Sequence, residues 1–144
     1  MGREGDARAV AERLHGAAIR LIRRLRKSDE ASGLAAPKLS ALSVLVFGGP
    51  HTVKELAAAE QVRAPTMSRL LGELEAAGLV QKTRDPSDGR VVRVQSTTRG
   101  RNLLEAGKSR RLEVLAAEIR ALDVHERRLV KAAVKIIERL NEQK

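Results

Sequence analysis

The sequence has 144 residues and a formal net charge of +10, and 42% of its residues are hydrophobic whereas only 1% are aromatic. This length suits one compact domain, whose core must be aliphatic because Phe47 is the only aromatic residue. The positive charge indicates either a polyanionic partner or a surface that is kept soluble by its charge. The scarcity of aromatic rings argues against proteins that stack the bases of RNA or single-stranded DNA.

The absence of cysteine, the spacing of the histidines and the hydropathy of the chain exclude further classes of function. The chain contains no cysteine, which excludes disulfides, thiol redox sensing and cysteine-based zinc sites. The three histidines, His15, His51 and His125, lie on different predicted elements without the H-x3-H spacing of metal sites, so we expect no metal and no other cofactor. No apolar run of about 18 residues and no signal-peptide segment is present, which predicts a cytoplasmic protein without a membrane partner.

The N-terminal part of the chain predicts three helices. Apolar residues at three- and four-residue spacing predict a helix over residues 6–27, and Gly33 and Pro37 then interrupt the pattern. A short second helix is expected over residues 39–47. Thr52 and Glu55 form a capping-box pattern, which opens a third helix of about nine residues.

A fourth helix follows after only three residues, which is the spacing of a helix-turn-helix. Pro65 suits its first turn and Gly78 suits its C-terminal stop. The helical period places its apolar residues on one buried face, namely Met67, Leu70, Leu71 and Leu74. The same period directs the remaining side chains to the opposite face or its flanks, namely Pro65, Thr66, Ser68, Arg69, Gly72 and Glu73.

A basic hairpin comes next. The runs 79–82 and 91–95 are β-prone and are joined by the turn-forming segment Asp-Pro-Ser-Asp-Gly, so we expect two antiparallel strands that pack on the preceding helices. Residues 82–101 carry six basic and two acidic side chains, a net charge of +4. The hairpin therefore lies in a strongly basic part of the chain.

Two further helices complete the prediction. Thr97 or Thr98 caps a helix of about 24 residues, which would span roughly 36 Å. Asp123 and Glu126 form a second capping box, and the last helix has a stripe of apolar residues at Leu129, Ala133, Ile136 and Leu140. Because the chain offers no internal partner for every apolar stripe, we expect a second copy to cover them.

The segment from Thr52 to Gly100 resembles the MarR family of bacterial transcriptional regulators. Four motifs occur in the order of that family: V-x-E-L-A, P-T-x-S-R-L, L-E-x-x-G-L-V, and an acidic and arginine-containing wing followed by T-x-x-G. The resemblance implies a mainly α fold with a small two-stranded β wing. It further implies a winged helix-turn-helix lobe over residues 38–100 and a homodimer paired through helices of residues 6–30 and 102–144.

The resemblance also implies a double-stranded DNA partner with pseudo-palindromic operators. A helix fits the major groove, where Arg69 could pair with guanine, and an arginine at a hairpin tip is placed to enter the narrow minor groove. The predicted DNA-binding residues are Lys54, Arg63, Pro65, Thr66, Ser68, Arg69, Arg84, Asp88 and Arg90.

The wing has one departure from the family pattern. Arg90, Asp85 and Asp88 match the arginine and the acids of the wing, whereas Ser87 stands where the family often has another arginine. We expect a wing carboxylate to orient a neighbouring guanidinium, with Arg90 as its partner, and the alternative for Arg84 is a pair with Asp85.

A small phenolic or anionic effector is also implied by the resemblance. Its pocket would include His15, Ile19, Ser43 and Phe47, and the alternative is that these residues are plain core. We expect a regulator, most often a repressor in this family. The alternatives are a non-specific architectural DNA-binding protein, a protein-interaction adaptor, and an enzyme, which is disfavoured because no nucleophile–base pair has a readable spacing.

Overall fold

The computed structural model describes the backbone of residues 2–142 and the side chains of residues 5–27 and 29–142. The elements follow in the order α1 (Gly2–Arg26), a 3₁₀ helix (Lys27–Ser32), α2 (Ala36–Gly48), α3 (Val53–Ala59), α4 (Ala64–Ala76), β1 (Val80–Arg84), β2 (Val92–Ser96), α5 (Thr98–Ala121) and α6 (Val124–Glu142). The fold is therefore mainly α with a two-stranded antiparallel sheet, as predicted. The chain forms two compact units, Met1–Lys108 and Ser109–Lys144.

The start of α2 differs from the sequence prediction. The segment after α1 continues as a 3₁₀ helix and ends at Gly33, whose φ of 72° is in the left-handed region. Helix α2 begins at Ala36, three residues earlier than residue 39. Pro37 lies in its first turn, where a missing amide hydrogen costs no hydrogen bond, so this proline starts the helix rather than interrupting it.

One aliphatic core holds α2, α3, α4 and the hairpin together. Its buried residues are Ala41, Leu42, Leu45, Leu56, Ala57, Met67, Leu71, Leu74, Leu79, Val80 and Val94. The expectation of an aliphatic core is thus confirmed, and Phe47 does not contribute to it because its side chain is 75% exposed. Burying these side chains fixes the three helices and the sheet as one support for the residues on their outer surface.

The helix-turn-helix begins with the predicted capping box. The amide of Glu55 donates to the Thr52 hydroxyl at 3.1 Å, and the amide of Thr52 donates to the Glu55 carboxylate at 2.8 Å. Helix α3 is seven residues long, shorter than predicted, and Gln61 in the following turn has a φ of 55°. The predicted start of the next helix is confirmed, with Pro65 in the first turn of α4.

The wing is an antiparallel pair in which Val80 lies opposite Ser96 and Arg84 lies opposite Val92. Both strands lie about one or two residues further along the chain than the sequence predicts. His51 adds an isolated bridge. Its amide donates to the carbonyl of Val94 at 3.0 Å, and its carbonyl accepts the amide of Val94 at 2.8 Å. This bridge ties the start of α3 to the second strand of the wing.

Thr97 is the residue that caps α5. Its hydroxyl accepts the amide of Gly100 at 3.1 Å and donates to the carbonyl of Gly78 at 2.7 Å, so it joins the end of the α4 region to the start of α5. The choice between Thr97 and Thr98 is thereby settled. The predicted second capping box is also confirmed, since Asp123 and Glu126 each accept the backbone amide of the other.

Taken singly, the helices within residues 2–142 are too short or too polar to cross a membrane. The segments Gly5–Ser32 and Ala36–Gly48 reach the required length and composition only when taken together, and they meet at an angle of 90°.

Candidate nucleic-acid interface

Helix α4 has an apolar face that is buried and a polar face that is exposed. Met67, Leu71 and Leu74 are buried, and Leu70 is half-buried beside them, so the predicted apolar stripe is confirmed. The opposite side of its N-terminal half is exposed and consists of Pro65, Thr66, Ser68 and Arg69. A helix that is fixed from behind and polar in front can enter a DNA groove without losing its packing.

Arg69 is held by an acidic side chain from its own helix. The Arg69 guanidinium lies 3.1 Å from one carboxylate oxygen of Glu73, and the Lys38 ammonium from α2 lies 2.5 Å from the other. Lys38, and to a lesser degree Arg69, hold the pKa of Glu73 below its ordinary value. Glu73 therefore orients Arg69 while its own charge is largely neutralised by Lys38.

Two further basic residues lie at the starts of the two helices of the motif. Lys54 is in the first turn of α3 and Arg63 is the N-cap residue of α4, and both are exposed. Neither side chain makes an ion pair with any residue that the structure describes. Both cations are therefore available to an external anion.

The tip of the wing carries the remaining predicted residues. Arg84 ends β1, Asp88 and Arg90 lie in the loop, and all three are exposed. The amide of Arg90 donates to the carboxylate of Asp88 at 3.0 Å, which fixes the backbone of the tip. The guanidinium of Arg90 has no acidic partner among the side chains of residues 5–27 and 29–142.

The expected pairing of wing acids with Arg90 or Arg84 is wrong. The Asp85 carboxylate instead accepts a hydrogen bond from Nε of Arg93 at 2.5 Å, and Ser87 donates to the other oxygen from its amide at 2.8 Å and from its hydroxyl at 2.6 Å. The reason is the register of the hairpin. Thr83 lies opposite Arg93, so Asp85 projects from the same face as Arg93. Ser87 thus stabilises the loop at the position where the family often has an arginine.

Arg93 connects the wing to the helix-turn-helix, a role that the sequence analysis missed. Besides Asp85, its guanidinium contacts the Glu55 carboxylate at 3.1 Å, and Glu55 also caps α3. Its side chain is 30% exposed and that of Asp85 is 10% exposed, so the pair is partly shielded from water. The available signal was the strand alternation, which places Asp85 and Arg93 on one face once the register is known.

We expect the ion pair between Asp85 and Arg93 to make the stability of the wing depend on pH. Arg93 first, and then Ser87, hold the pKa of Asp85 far below its ordinary value. A carboxyl with a lowered folded-state pKa stabilises the fold above its ordinary pKa of about 4 and loses that contribution as the pH falls further. Asp85→Asn should therefore lower the melting temperature at neutral pH, and its difference from wild type should shrink in acid.

The measurement is thermal unfolding by circular dichroism from about pH 7 to about pH 2. Asp88→Asn is the matched control, because among the described residues that carboxylate accepts only the Arg90 amide. Its difference from wild type should be smaller at neutral pH. A constant difference between Asp85→Asn and wild type across the whole range would contradict the assignment, since the Asp85 charge would then contribute nothing.

The four residues predicted for an effector pocket do not line the cleft at the base of the wing. His15 and Ile19 are exposed on α1, Ser43 is half-buried on α2, and Phe47 is exposed at the end of α2. None of them lines a cleft of about 510 Å³ in the same unit. A pocket formed by these four residues stays a prediction. Among the described side chains, those of residues 5–27 and 29–142, no group of three His, Asp or Glu residues is placed to hold a metal ion.

Known proteins are similar to this chain in sequence and in fold. A model of the MarR family matches residues 32–91. An HTH-type transcriptional regulator of Mycobacterium tuberculosis is 34% identical over 93% of this chain and 93% of its own length. A transcriptional regulator of Thermotoga maritima superposes with a TM-score of 0.85 at 22% identity, covering 94% of this chain and 96% of that one. A mutant of S. aureus MepR bound to an oligodeoxyribonucleotide superposes with a TM-score of 0.72 at 24% identity, covering 91% and 97%.

The sequence match and the architecture agree. The chain belongs to the MarR family of helix-turn-helix transcriptional regulators. It is accordingly a DNA-binding regulator with a winged helix fold, as the motifs between Thr52 and Gly100 predicted.

Proposed function

We propose that the protein is a homodimeric repressor that binds pseudo-palindromic operators in double-stranded DNA. The observation that carries this proposal is the exposed face of α4. Thr66, Ser68 and Arg69 project from it near the helix start, and the buried residues of the same helix fix its direction. Side chains near the N-terminus of a recognition helix are those that reach base edges in the major groove.

The wing supports a second contact in the adjacent minor groove. Arg90 is exposed at the tip without an acidic partner among the described residues, and Arg84 lies at the end of the neighbouring strand. Negative potential is concentrated where the minor groove narrows, which favours an inserted guanidinium. Lys54 and Arg63 add phosphate contacts that set the register of the protein on the duplex. The MepR mutant bound to an oligodeoxyribonucleotide supports a DNA partner for this fold.

Unburied apolar residues support the dimer. No residue of α6 is buried, although the helix repeats apolar side chains at helical spacing. Exposed examples on α6 are Val124, Leu129, Ile136 and Leu140, and on α1 they are Val10, Leu14 and Ile22. An amphipathic helix gains its stability by burying such a stripe, so a second copy is the simplest cover. We assign residues 6–30 and 102–144 to this pairing.

The dimer explains how operator binding represses transcription and how an effector ends the repression. Two recognition helices reach successive major grooves about 34 Å apart, so an occupied operator blocks the polymerase from the promoter. A small phenolic or anionic effector that favours a dimer with another spacing between its recognition helices lowers operator affinity. Operator binding in this form needs both copies of the chain.

The test is selection of bound genomic fragments followed by sequencing, beginning with the DNA upstream of the protein's own gene, at about 150 mM salt. We expect enrichment of an inverted repeat whose half-sites lie one helical turn apart. Such a repeat reports a sequence-specific dimer, because its symmetry mirrors that of the protein.

The same selection distinguishes the competing function. Uniform recovery of all fragments would overturn sequence-specific repression and favour an architectural DNA-binding protein, whose specific and non-specific affinities are nearly equal. Enrichment of single half-sites without symmetry would retain DNA recognition but refute the dimer on the operator. Sedimentation of the free protein gives the oligomeric state independently of DNA.

A further inference from the structure

An acidic side chain lies next to Arg69 on the exposed surface of α4. Glu73 follows Arg69 by four residues, which is about one helical turn, and both side chains are exposed. A carboxylate at such a position repels the phosphates of DNA, so it weakens binding to every sequence unless its charge is compensated. The position of Glu73 beside Arg69 therefore needs an explanation.

The charge that compensates Glu73 comes from another helix. The Lys38 ammonium, in the first turn of α2, lies 2.5 Å from one carboxylate oxygen of Glu73. The side chain of Lys38 is only 30% exposed, and the next turn of α2 is fixed in the core by Ala41 and Leu42. Lys38 first, and then Arg69, hold the pKa of Glu73 below its ordinary value, so the carboxylate is charged at neutral pH. Glu73 is thus ionised, neutralised and anchored to α2.

The second carboxylate oxygen of Glu73 holds Arg69. Nη1 of Arg69 donates to this oxygen at 3.1 Å, and the Arg69 side chain is otherwise 76% exposed. Among the described side chains, Glu73 is the one acidic partner of Arg69. A guanidinium is planar and its donors form a rigid fork, so a hydrogen bond at Nη1 limits the direction of the whole group while Nε and Nη2 stay available.

The direction of Arg69 decides which kind of contact it makes with DNA. A guanidinium reads guanine by donating to both O6 and N7 in the major groove, which requires one orientation of the fork. A phosphate accepts the same donors from many directions and carries no sequence information. A mobile arginine therefore contacts phosphates on any sequence, whereas an arginine that is already held loses little freedom when it pairs with guanine.

We propose that Glu73 is a positioning residue that makes Arg69 selective for guanine, and that Lys38 neutralises the negative charge that this arrangement introduces. Glu73 acts through Arg69 and makes no contact with DNA itself. Without Glu73, Arg69 gains phosphate contacts and loses its preference for one base. The inference rests on the proposed function, since it requires sequence-specific operators, and it adds which residues set the specificity at one base pair of each half-site.

The base pair that Arg69 reads is identified first. The operator selected by the wild-type protein is changed at one position at a time, and fluorescence anisotropy gives the affinities of wild type and Arg69→Ala for each duplex. We expect one G·C pair in each half-site whose replacement weakens wild-type binding by about tenfold but weakens Arg69→Ala binding much less. This base pair is then used to measure the preference of the other variants.

Glu73→Ala should lower the preference for that guanine by about fivefold. Most of this change should come from tighter binding of the substituted operators, because the repulsive charge is removed and the released Arg69 reaches phosphates. A residue that only stabilised the fold would instead weaken binding to all operators alike. Thermal unfolding by circular dichroism shows whether the variant is folded.

Glu75→Ala is the matched control. It removes the same charge from α4, but the Glu75 carboxylate pairs with Lys82 at 3.4 Å and not with Arg69. This variant should bind all operators more tightly by a similar factor of about two and should keep the guanine preference.

Lys38→Gln tests the neutralising role. It leaves Glu73 charged without its partner from α2, so it should weaken binding to all operators by about threefold while the guanine preference is retained. A loss of preference in Lys38→Gln would contradict the assignment of Lys38 as a neutralising residue.

Three results would overturn the inference and leave the proposed function intact. The first is an unchanged guanine preference in Glu73→Ala. The second is an equal loss of preference in Glu75→Ala, since charge rather than position would then be responsible. The third is an Arg69→Ala variant that keeps every base preference, since Arg69 would then read no base. A wild-type protein that selects no operator sequence would refute the proposed function and the inference together, so the two failures are distinguishable.

Discussion

Gly100→Ala is expected to destabilise the protein by about 3 kcal/mol or more, at the upper end of overpacking costs. A Cβ atom at this position would lie 2.2 Å from the backbone oxygen of Leu79 and 3.1 Å from Cδ1 of Leu42. The oxygen cannot move aside easily, because it accepts the amide of Thr97 at 3.0 Å. The loss is large compared with a total stability of about 5–15 kcal/mol for a domain.

Urea unfolding followed by circular dichroism measures this effect. Gly72→Ala is the matched control, because Gly72 lies within α4 and a Cβ there meets no atom within 4 Å. That substitution should raise stability by about 0.5–1 kcal/mol, since alanine has the higher helix propensity. An unchanged urea midpoint for Gly100→Ala would mean that the start of α5 can move away from Leu79 without loss.

Gly100 also shows what a sequence motif can and cannot explain. The T-x-x-G pattern helped to identify the family, but the sequence contains no sign that its glycine faces a carbonyl 21 positions earlier. Only the folded chain brings Leu79 against Gly100. Thr97 is different, because a threonine before a helix predicts a cap by itself, and its capping bond to Gly100 is as local as the pattern.

Local signals account for most of what the sequence predicts about this fold. Both capping boxes, the first-turn proline of α4 and the stop at Gly78 act within one helical turn, so residues close in sequence are sufficient to reveal them. Pro37 was the exception. A proline is compatible with a break and with a helix start, and the packing of α2 in the core decided between them.

The interface was predicted less completely because its supports are distant in sequence. The exposed residues of α4 followed from the helical period, whereas Arg93 contacts Glu55, 38 positions away. The pairing of Asp85 with Arg93 depends on the register of the two strands, because a shift of one residue would move one of these side chains to the other face of the sheet. Tertiary contacts of this kind determine how firmly the wing is held, and no pattern in the separate segments reports them.

Arg90→Ala is expected to lower affinity for the selected operator by about tenfold or more, which corresponds to about 1.4 kcal/mol. The exposed guanidinium of Arg90 has no acidic partner among the described residues. It can therefore contact DNA without breaking an ion pair inside the protein. The fold should be unaffected, because the amide that fixes the tip through Asp88 belongs to the backbone. Fluorescence anisotropy with labelled operator, repeated at several salt concentrations, measures both the affinity and its salt dependence.

Lys82→Ala is the control for Arg90→Ala, because it also removes one positive charge from the hairpin but at a position away from the tip. The Lys82 ammonium lies on β1, 3.4 Å from the Glu75 carboxylate and away from the tip, so its loss should change operator affinity by no more than about twofold. The salt dependence should become shallower by roughly one for each wing that loses Arg90 and should hardly change without Lys82. Equal losses in the two variants would show that only the overall charge of the wing matters, and an unchanged affinity for Arg90→Ala would exclude the wing tip from DNA binding.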